Sequence, residues 1–160
     1  MRNVQATDTP TWVRAPRQAR SQETLDRFYT ATMELLSERG FDEIAVTDIA
    51  KRAERTVGSF YARFEDKYAV LLELIEQSYE RIRQIVAEFC DPERWEGRPL
   101  SEYVAESVRM NIDGFEQRSP LYRAALCAAT SDPRFHERRA ELLRFCAERQ
   151  KELLRSRADE

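Results

Sequence analysis

A chain of 160 residues and 18.8 kDa has room for one domain, or one domain and a small module. Apolar residues at 42 % supply a core, but no apolar run approaches the ~20 residues of a spanning helix, and the opening Met1-Arg-Asn-Val-Gln-Ala-Thr-Asp8 lacks the apolar stretch of a signal peptide. Four Gly and two Asn are too few for the turns of a sheet protein, so the composition, rich in Ala, Leu, Glu and Arg, predicts an all-α fold.

Several chemistries are excluded early. His136 is the single histidine, which removes two-His metal sites, and it stands in a charged run that reads as a solvated helix start. No phosphate-cradling Gly-rich loop is written. The expectation is therefore a protein that is not an enzyme and holds no cofactor or metal. Cys90, Cys127 and Cys146 show no C-x-x-C spacing and read as three free, buried thiols in a reducing, cytoplasmic setting. The net charge of −3 is unevenly spread: residues 1–22 are net +3 and residues 71–160 net −3.

Residues 1–19, with Pro10, Trp12 and Pro16 and no helical period, read as a flexible basic arm. Ser21 then caps an amphipathic helix with Leu25, Phe28, Tyr29, Thr32, Leu35 and Leu36 on one stripe, stopped by a left-handed Gly40. Thr47 caps a short helix over Asp48 to Ala53, with Ile49, Ala50 and Ala53 inward. A tight turn leads to a second short helix from Val57 to about Phe64. A long helix runs from Lys67 or Tyr68 to about Phe89, its stripe formed by Leu71, Leu74, Ile75, Tyr79, Ile82, Ile85, Val86 and Phe89. Ser101 caps a helix with Tyr103, Val104, Val108, Ile112 and Phe115 as its apolar stripe. Ser119-Pro120 opens a further helix through Ala128, and Asp132-Pro133 opens the last one.

The two short helices fit a helix-turn-helix. On the second, Phe60 and Phe64 share the inner face, while Arg55, Gly58, Ser59 and Ala62 lie opposite with Tyr61 and Arg63 on the flanks. Small side chains admit a helix to a groove ~12 Å wide, and Tyr61, Arg63 and Lys67 reach for phosphates. The N–H groups headed by Thr47 also suit a phosphate. The same pattern fits an ordinary helical hairpin whose small residues pack against a neighbour, and geometry alone leaves both open.

The stretch Val46-Thr-Asp-Ile-Ala-Lys-Arg-Ala-Glu-Arg-Thr-Val-Gly-Ser-Phe-Tyr-Ala-Arg-Phe-Glu-Asp-Lys67, preceded by Leu35-Leu36 and Gly40-Phe41, resembles the N-terminal signature of TetR/AcrR-type transcriptional regulators over about residues 21–75. The resemblance implies an N-terminal three-helix DNA-binding module over 20–67 and a divergent helical ligand and dimerisation domain over 68–160, shortened at its C-terminus relative to the family. It implies that Thr47 contacts phosphate, that Thr56, Val57, Gly58 and Ser59 face bases beside Arg55, that Tyr61 and Lys67 grip the backbone, and that Arg63 reaches a phosphate or base edge. Arg14, Arg17 and Arg20 would enter an adjacent minor groove or lie on phosphates. Glu54 stands where the family usually has Gly, which costs strain if its φ is positive and sets a negative charge near DNA.

The implied function is a cytoplasmic, sequence-specific regulator of transcription: a repressor that binds double-stranded operator DNA, an inverted repeat, as a homodimer and is released by an apolar or aromatic small-molecule effector. No membrane partner is implied. The alternative is a shortened helical interaction module that pairs with a full-length regulator, and the feature separating the two is an exposed apolar stripe at the back of the last helix. The aromatic residues between Tyr79 and Phe145 fit either a ligand cavity or plain packing.

Overall fold

The computed structural model describes residues 19–157, with the side chains of residues 19–21, 115 and 117–119 outside that description. The elements are α1 (Ala19–Glu38), a 3-10 turn (Phe41–Glu43), α2 (Val46–Arg52), α3 (Val57–Tyr61), α4 (Lys67–Phe89), a second 3-10 turn (Pro92–Trp95), α5 (Leu100–Ala128) and α6 (Arg134–Ser156). The fold is all-α. The chain divides into two compact units, Met1–Leu74 and Ile75–Glu160. The sequence reading drew this division at 67/68, whereas the first turns of α4 belong to the N-terminal unit, where Ala69, Val70, Leu71 and Leu72 are buried.

In the N-terminal unit the α1 stripe of Leu25, Phe28, Thr32, Leu35 and Leu36 is buried. The Thr32 hydroxyl donates to the Phe28 carbonyl one turn back (2.8 Å), which satisfies the only polar atom of a side chain set among apolar ones. Two local expectations fail here. Gly40 is extended (φ −64, ψ 149) rather than left-handed, because it starts the 3-10 turn instead of ending α1. The first residue outside α2 is Ala45, not Thr47; the Asp48 carboxylate reaches back to accept from the Ala45 N–H (3.0 Å), the cap a hydroxyl would otherwise supply. In the same way Asp66 accepts from the Ala69 N–H (2.8 Å) at the start of α4.

In the C-terminal unit Trp95 is the keystone. Its indole N–H donates to the Phe89 carbonyl (2.6 Å), and its ring meets Phe89 and Tyr103 at centroid distances of 5.2 Å each. Val86, Cys90 and Leu153 complete that cluster. Burial pushes the pKa of the Cys90 and Cys146 thiols up, and raises that of the Tyr103 phenol to about 12.

Four expectations about this unit are corrected. Pro99, not Ser101, precedes the helix. No new helix starts at Ser119-Pro120: α5 is continuous through Pro120, and burial of Leu121, Ala124, Ala125 and Ala128 keeps the chain helical past the lost N–H. Val104, Val108 and Ile112 are exposed, since the face of α5 that turns inward carries Tyr103 instead. Cys127 is exposed, so only Cys90 of the three thiols is fully buried. The start signal at Asp132-Pro133 is real: the Asp132 carboxylate accepts from the Arg134 N–H (3.0 Å), and His136 lies exposed on that helix.

Candidate nucleic-acid interface

Three phenylalanines hold α3 in place. Phe60 is fully buried (0 % exposed), and its ring lies 5.4 Å from Phe28 and 5.1 Å from Phe64 between centroids. Fixing those side chains inward turns the rest of α3 outward. Val57 (37 % exposed) and Tyr61 (51 %) are the exposed large apolar side chains described in this unit, with Gly58 exposed between them. A Cβ added at Gly58 would meet only the Thr56 hydroxyl, at 3.9 Å, so nothing inside the protein requires a glycine there. α3 is shorter than the sequence suggested, ending at Tyr61 instead of about Phe64.

The turn between α2 and α3 is tight. The Arg55 N–H donates to the Ala50 carbonyl (2.9 Å), and Glu54 has φ 55, the left-handed region in which a side chain is strained. The strain expected of a non-glycine at this position is therefore present. The Glu54 carboxylate is held by Arg27 of α1 (3.0 Å), while Arg55 donates to the Glu54 carbonyl (3.0 Å) and lies 3.5 Å from Glu23. Thr56 caps α3: its hydroxyl accepts from the Ser59 N–H (3.1 Å).

The basic side chains differ sharply in how they are occupied. Arg52 forms a two-pronged pair with Glu38 (2.8 and 2.9 Å) and reaches Glu34 (3.2 Å). This holds the Glu38 carboxyl below its usual range. Arg39 pairs with Asp48 (2.9 Å). Asp48 is held below the ordinary carboxylate value by its bond from the Ala45 N–H first and by Arg39 second. Arg63 folds back along α3 to the carbonyl and hydroxyl of Ser59 (3.1 and 3.3 Å).

Lys67 is the largest departure from the expected role. Its ammonium donates to the carbonyls of Phe41 (3.1 Å), Asp42 (3.3 Å) and Ile44 (3.1 Å), and lies 4.7 Å from the centre of the Phe41 ring. All three of its protons are thus used to pin the connector between α1 and α2. Lys51 is the opposite case. It is exposed, one turn after exposed Thr47 on the same face of α2, and among the described residues its side chain makes no hydrogen bond or ion pair, feeling Asp48 only at longer range. Sequence reasoning passed over Lys51, although its i+4 spacing from Thr47 was the available signal.

The structure thus brings Arg55, Thr56, Val57, Gly58, Ser59, Tyr61 and Arg63 together on and around α3, with Thr47 on exposed α2. Arg14 and Arg17 lie outside the described residues. Arg20 belongs to α1, but its side chain lies outside the description.

Residues 28–74 match the family described as bacterial regulatory proteins, tetR family. The chain is 31 % identical over 119 residues to the HTH-type transcriptional regulator YwcC of Bacillus subtilis (strain 168), itself described as uncharacterized, covering 66 % of this chain and 53 % of that one. It is 32 % identical over 103 residues to the HTH-type transcriptional regulator UidR of Escherichia coli (strain K12), covering 64 % and 50 %. A shorter match, 36 % over 63 residues, joins it to YdgC of Bacillus subtilis, covering 39 % and 32 %. The chain spans about half the length of the first two relatives. The helix-turn-helix module built around Phe28, Phe60 and Phe64 is thus the part of this chain, residues 28–74, that matches the tetR family of bacterial regulatory proteins.

Proposed function

We propose that the chain is a sequence-specific regulator that binds double-stranded operator DNA as a homodimer and represses transcription until a small-molecule effector releases it. The observation that carries the DNA-binding reading is the outward face of α3: Val57, Gly58, Ser59 and Tyr61 are turned away from a core that fixes Phe60 at 0 % exposure. A short helix with a bare glycine at the centre of its outer face fits a major groove, where base edges can be read closely. Thr47, Tyr61 and Lys51 flank that reading head as backbone contacts.

The effector reading is supported by a cavity of about 890 Å³ in the C-terminal unit, lined by Ile82, Phe89, Met110, Tyr122, Leu142 and Cys146 among others. The apolar and aromatic part of this lining suits an apolar or aromatic effector, while Glu88, Arg94, Glu106, Arg109 and Asp113 add charged groups to the same wall. Release then works as a population shift: the effector favours a conformer whose two reading heads no longer match the half-site spacing, with a coupling of ~1–3 kcal/mol.

Selection from a randomised duplex pool tests the reading, with Tyr61→Ala run alongside. The expected result is an inverted repeat enriched by the native chain and lost with the variant. A single half-site would retain DNA reading and remove the dimer. Equal, unselective behaviour of both proteins would overturn DNA reading altogether, in favour of an interaction module that pairs with another helical chain.

A further inference from the structure

We propose that Val57 reads the 5-methyl group of a thymine in the major groove, and is the side chain by which α3 chooses a base. The proposal deepens the DNA-binding reading above and rests on it. Each base pair shows the major groove its own pattern of donors, acceptors and apolar groups. Guanine and adenine are selected by paired hydrogen bonds from a guanidinium or a side-chain amide. Cytosine is selected by a carboxylate that accepts from its amino group, and thymine by an apolar group against its methyl. The side chains of the reading head sort against that code.

No side-chain amide stands between Arg55 and Arg63. The two guanidiniums that bound this stretch are turned back onto the protein. Arg55 donates to the Glu54 carbonyl (3.0 Å) and lies 3.5 Å from Glu23, and Arg63 donates to the carbonyl and hydroxyl of Ser59 (3.1 and 3.3 Å). The carboxylate nearest in sequence, that of Glu54, is held by Arg27 (3.0 Å). The hydroxyls of Thr56 and Ser59 can pair with any base edge, so they discriminate weakly. Bidentate reading of a purine and carboxylate reading of a cytosine therefore both lack a poised group on this face, and an apolar contact is what remains.

Val57 is built for that contact. It is exposed in the first turn of α3, outside the core, where Phe60 supplies the inward side chain. A β-branched residue is a poor helix former, so the local fold gains nothing from a valine at this position. Thr56 and Gly58 stand exposed on either side. Gly58 has no side chain to hold a base pair off, so the short branched group of Val57 can close on the base edge. Thymine alone among the four bases presents an apolar group in the major groove.

Uracil differs from thymine by that methyl alone, which isolates the contact. A duplex selected by the full chain from a randomised pool is resynthesised with one thymine at a time replaced by uracil, and the affinity for each duplex is measured by fluorescence anisotropy. The native chain is expected to lose about fourfold in affinity at one thymine per reading head, the worth of one buried methyl. Val57→Ala keeps a good helix former but stops short of the methyl. It is expected to melt as the native chain does and to bind the thymine and uracil duplexes alike. If the native chain binds every uracil duplex as tightly as its parent, the methyl reading is overturned while DNA binding stands. If Val57→Ala keeps the fourfold preference, another side chain reads the methyl and the assignment of Val57 is overturned. If no duplex is enriched from the pool, the DNA-binding reading itself falls, and this proposal with it.

Discussion

Both units leave large apolar side chains in the open, but in different patterns. In the N-terminal unit the exposed ones described are Val57 and Tyr61, both on a five-residue helix with a glycine between them. In the C-terminal unit they include Leu100, Val104, Val108 and Ile112 on a 29-residue helix. Exposure on a short, small-residue helix suits a groove between phosphates, where shape and close approach matter more than area. Exposure along a long helix is ordinary surface, since much of any folded protein's surface is apolar. The same surface chemistry thus has a functional reading or none according to the length and neighbours of the helix that carries it.

The largest effect that sharpens this contrast is expected at Phe60. Phe60→Ala removes a fully buried ring from the Phe28–Phe60–Phe64 cluster and is expected to cost ~3–5 kcal/mol, unfolding the N-terminal unit. Val108→Glu, on the exposed side of α5, is expected to leave stability within ~0.5 kcal/mol. Denaturant unfolding of the two variants compares them directly. A stable Phe60→Ala protein would mean that α3 is not held by its inner face.

Next in size is the pair of lysines. Lys67→Ala strips three carbonyls of their ammonium donor and is expected to lower stability by ~1–3 kcal/mol. Lys51→Gln touches nothing inside the protein and is expected to leave stability unchanged while reducing the salt slope of DNA binding by ~0.9. If Lys67→Ala instead changes the slope and not the stability, its ammonium leaves the carbonyls for a phosphate on binding, and the structural assignment is wrong.

Gly58→Ala separates folding from reading. The added methyl meets only Thr56 at 3.9 Å, and alanine in a helix is favoured over glycine by ~0.5–1 kcal/mol, so the variant is expected to be slightly more stable. The same methyl stands on the face proposed to enter the groove, so specific DNA binding is expected to fall about tenfold, a loss of ~1.4 kcal/mol. Equal binding by both proteins would move the reading head away from Gly58.

Much of this contrast was legible in the sequence, for a physical reason. The all-α fold follows from composition, and the start of α4 at Lys67 or Tyr68 and the inward set Ile49, Ala50, Phe60 and Phe64 from local periodicity; each is found in the structure, with α4 starting at Lys67. What the sequence hid depended on side chains far apart along the chain. The engagement of Lys67 needs carbonyls 23 to 26 residues away. The clamp on Glu54 comes from Arg27, 27 residues earlier. On α5 the period set Tyr103, Val104, Val108 and Ile112 on one stripe, and of these only Tyr103 is buried. Tyr103 is drawn to Phe89 and Trp95, which leaves Val108 outside.

The smallest effect concerns the cap of α2, which presents Thr47 and Lys51. The Asp48 carboxylate bonds the Ala45 N–H and Arg39, and both hold its folded value below the ordinary 3.8. A carboxyl depressed on folding contributes its stability in full above the unfolded value and loses it as pH falls through the folded one, where both states bind the proton. No change is therefore expected from this group between neutrality and about pH 5, with loss confined to more acidic solution. Asp48→Asn keeps an acceptor for the cap but gives up Arg39, so the native advantage over the variant should be flat near neutrality and shrink in acid. Parallel acid titrations followed by circular dichroism measure that difference. Curves that stay equally separated into strong acid would show that the charge on Asp48 contributes nothing, and that the cap on α2 works through its hydrogen bond alone.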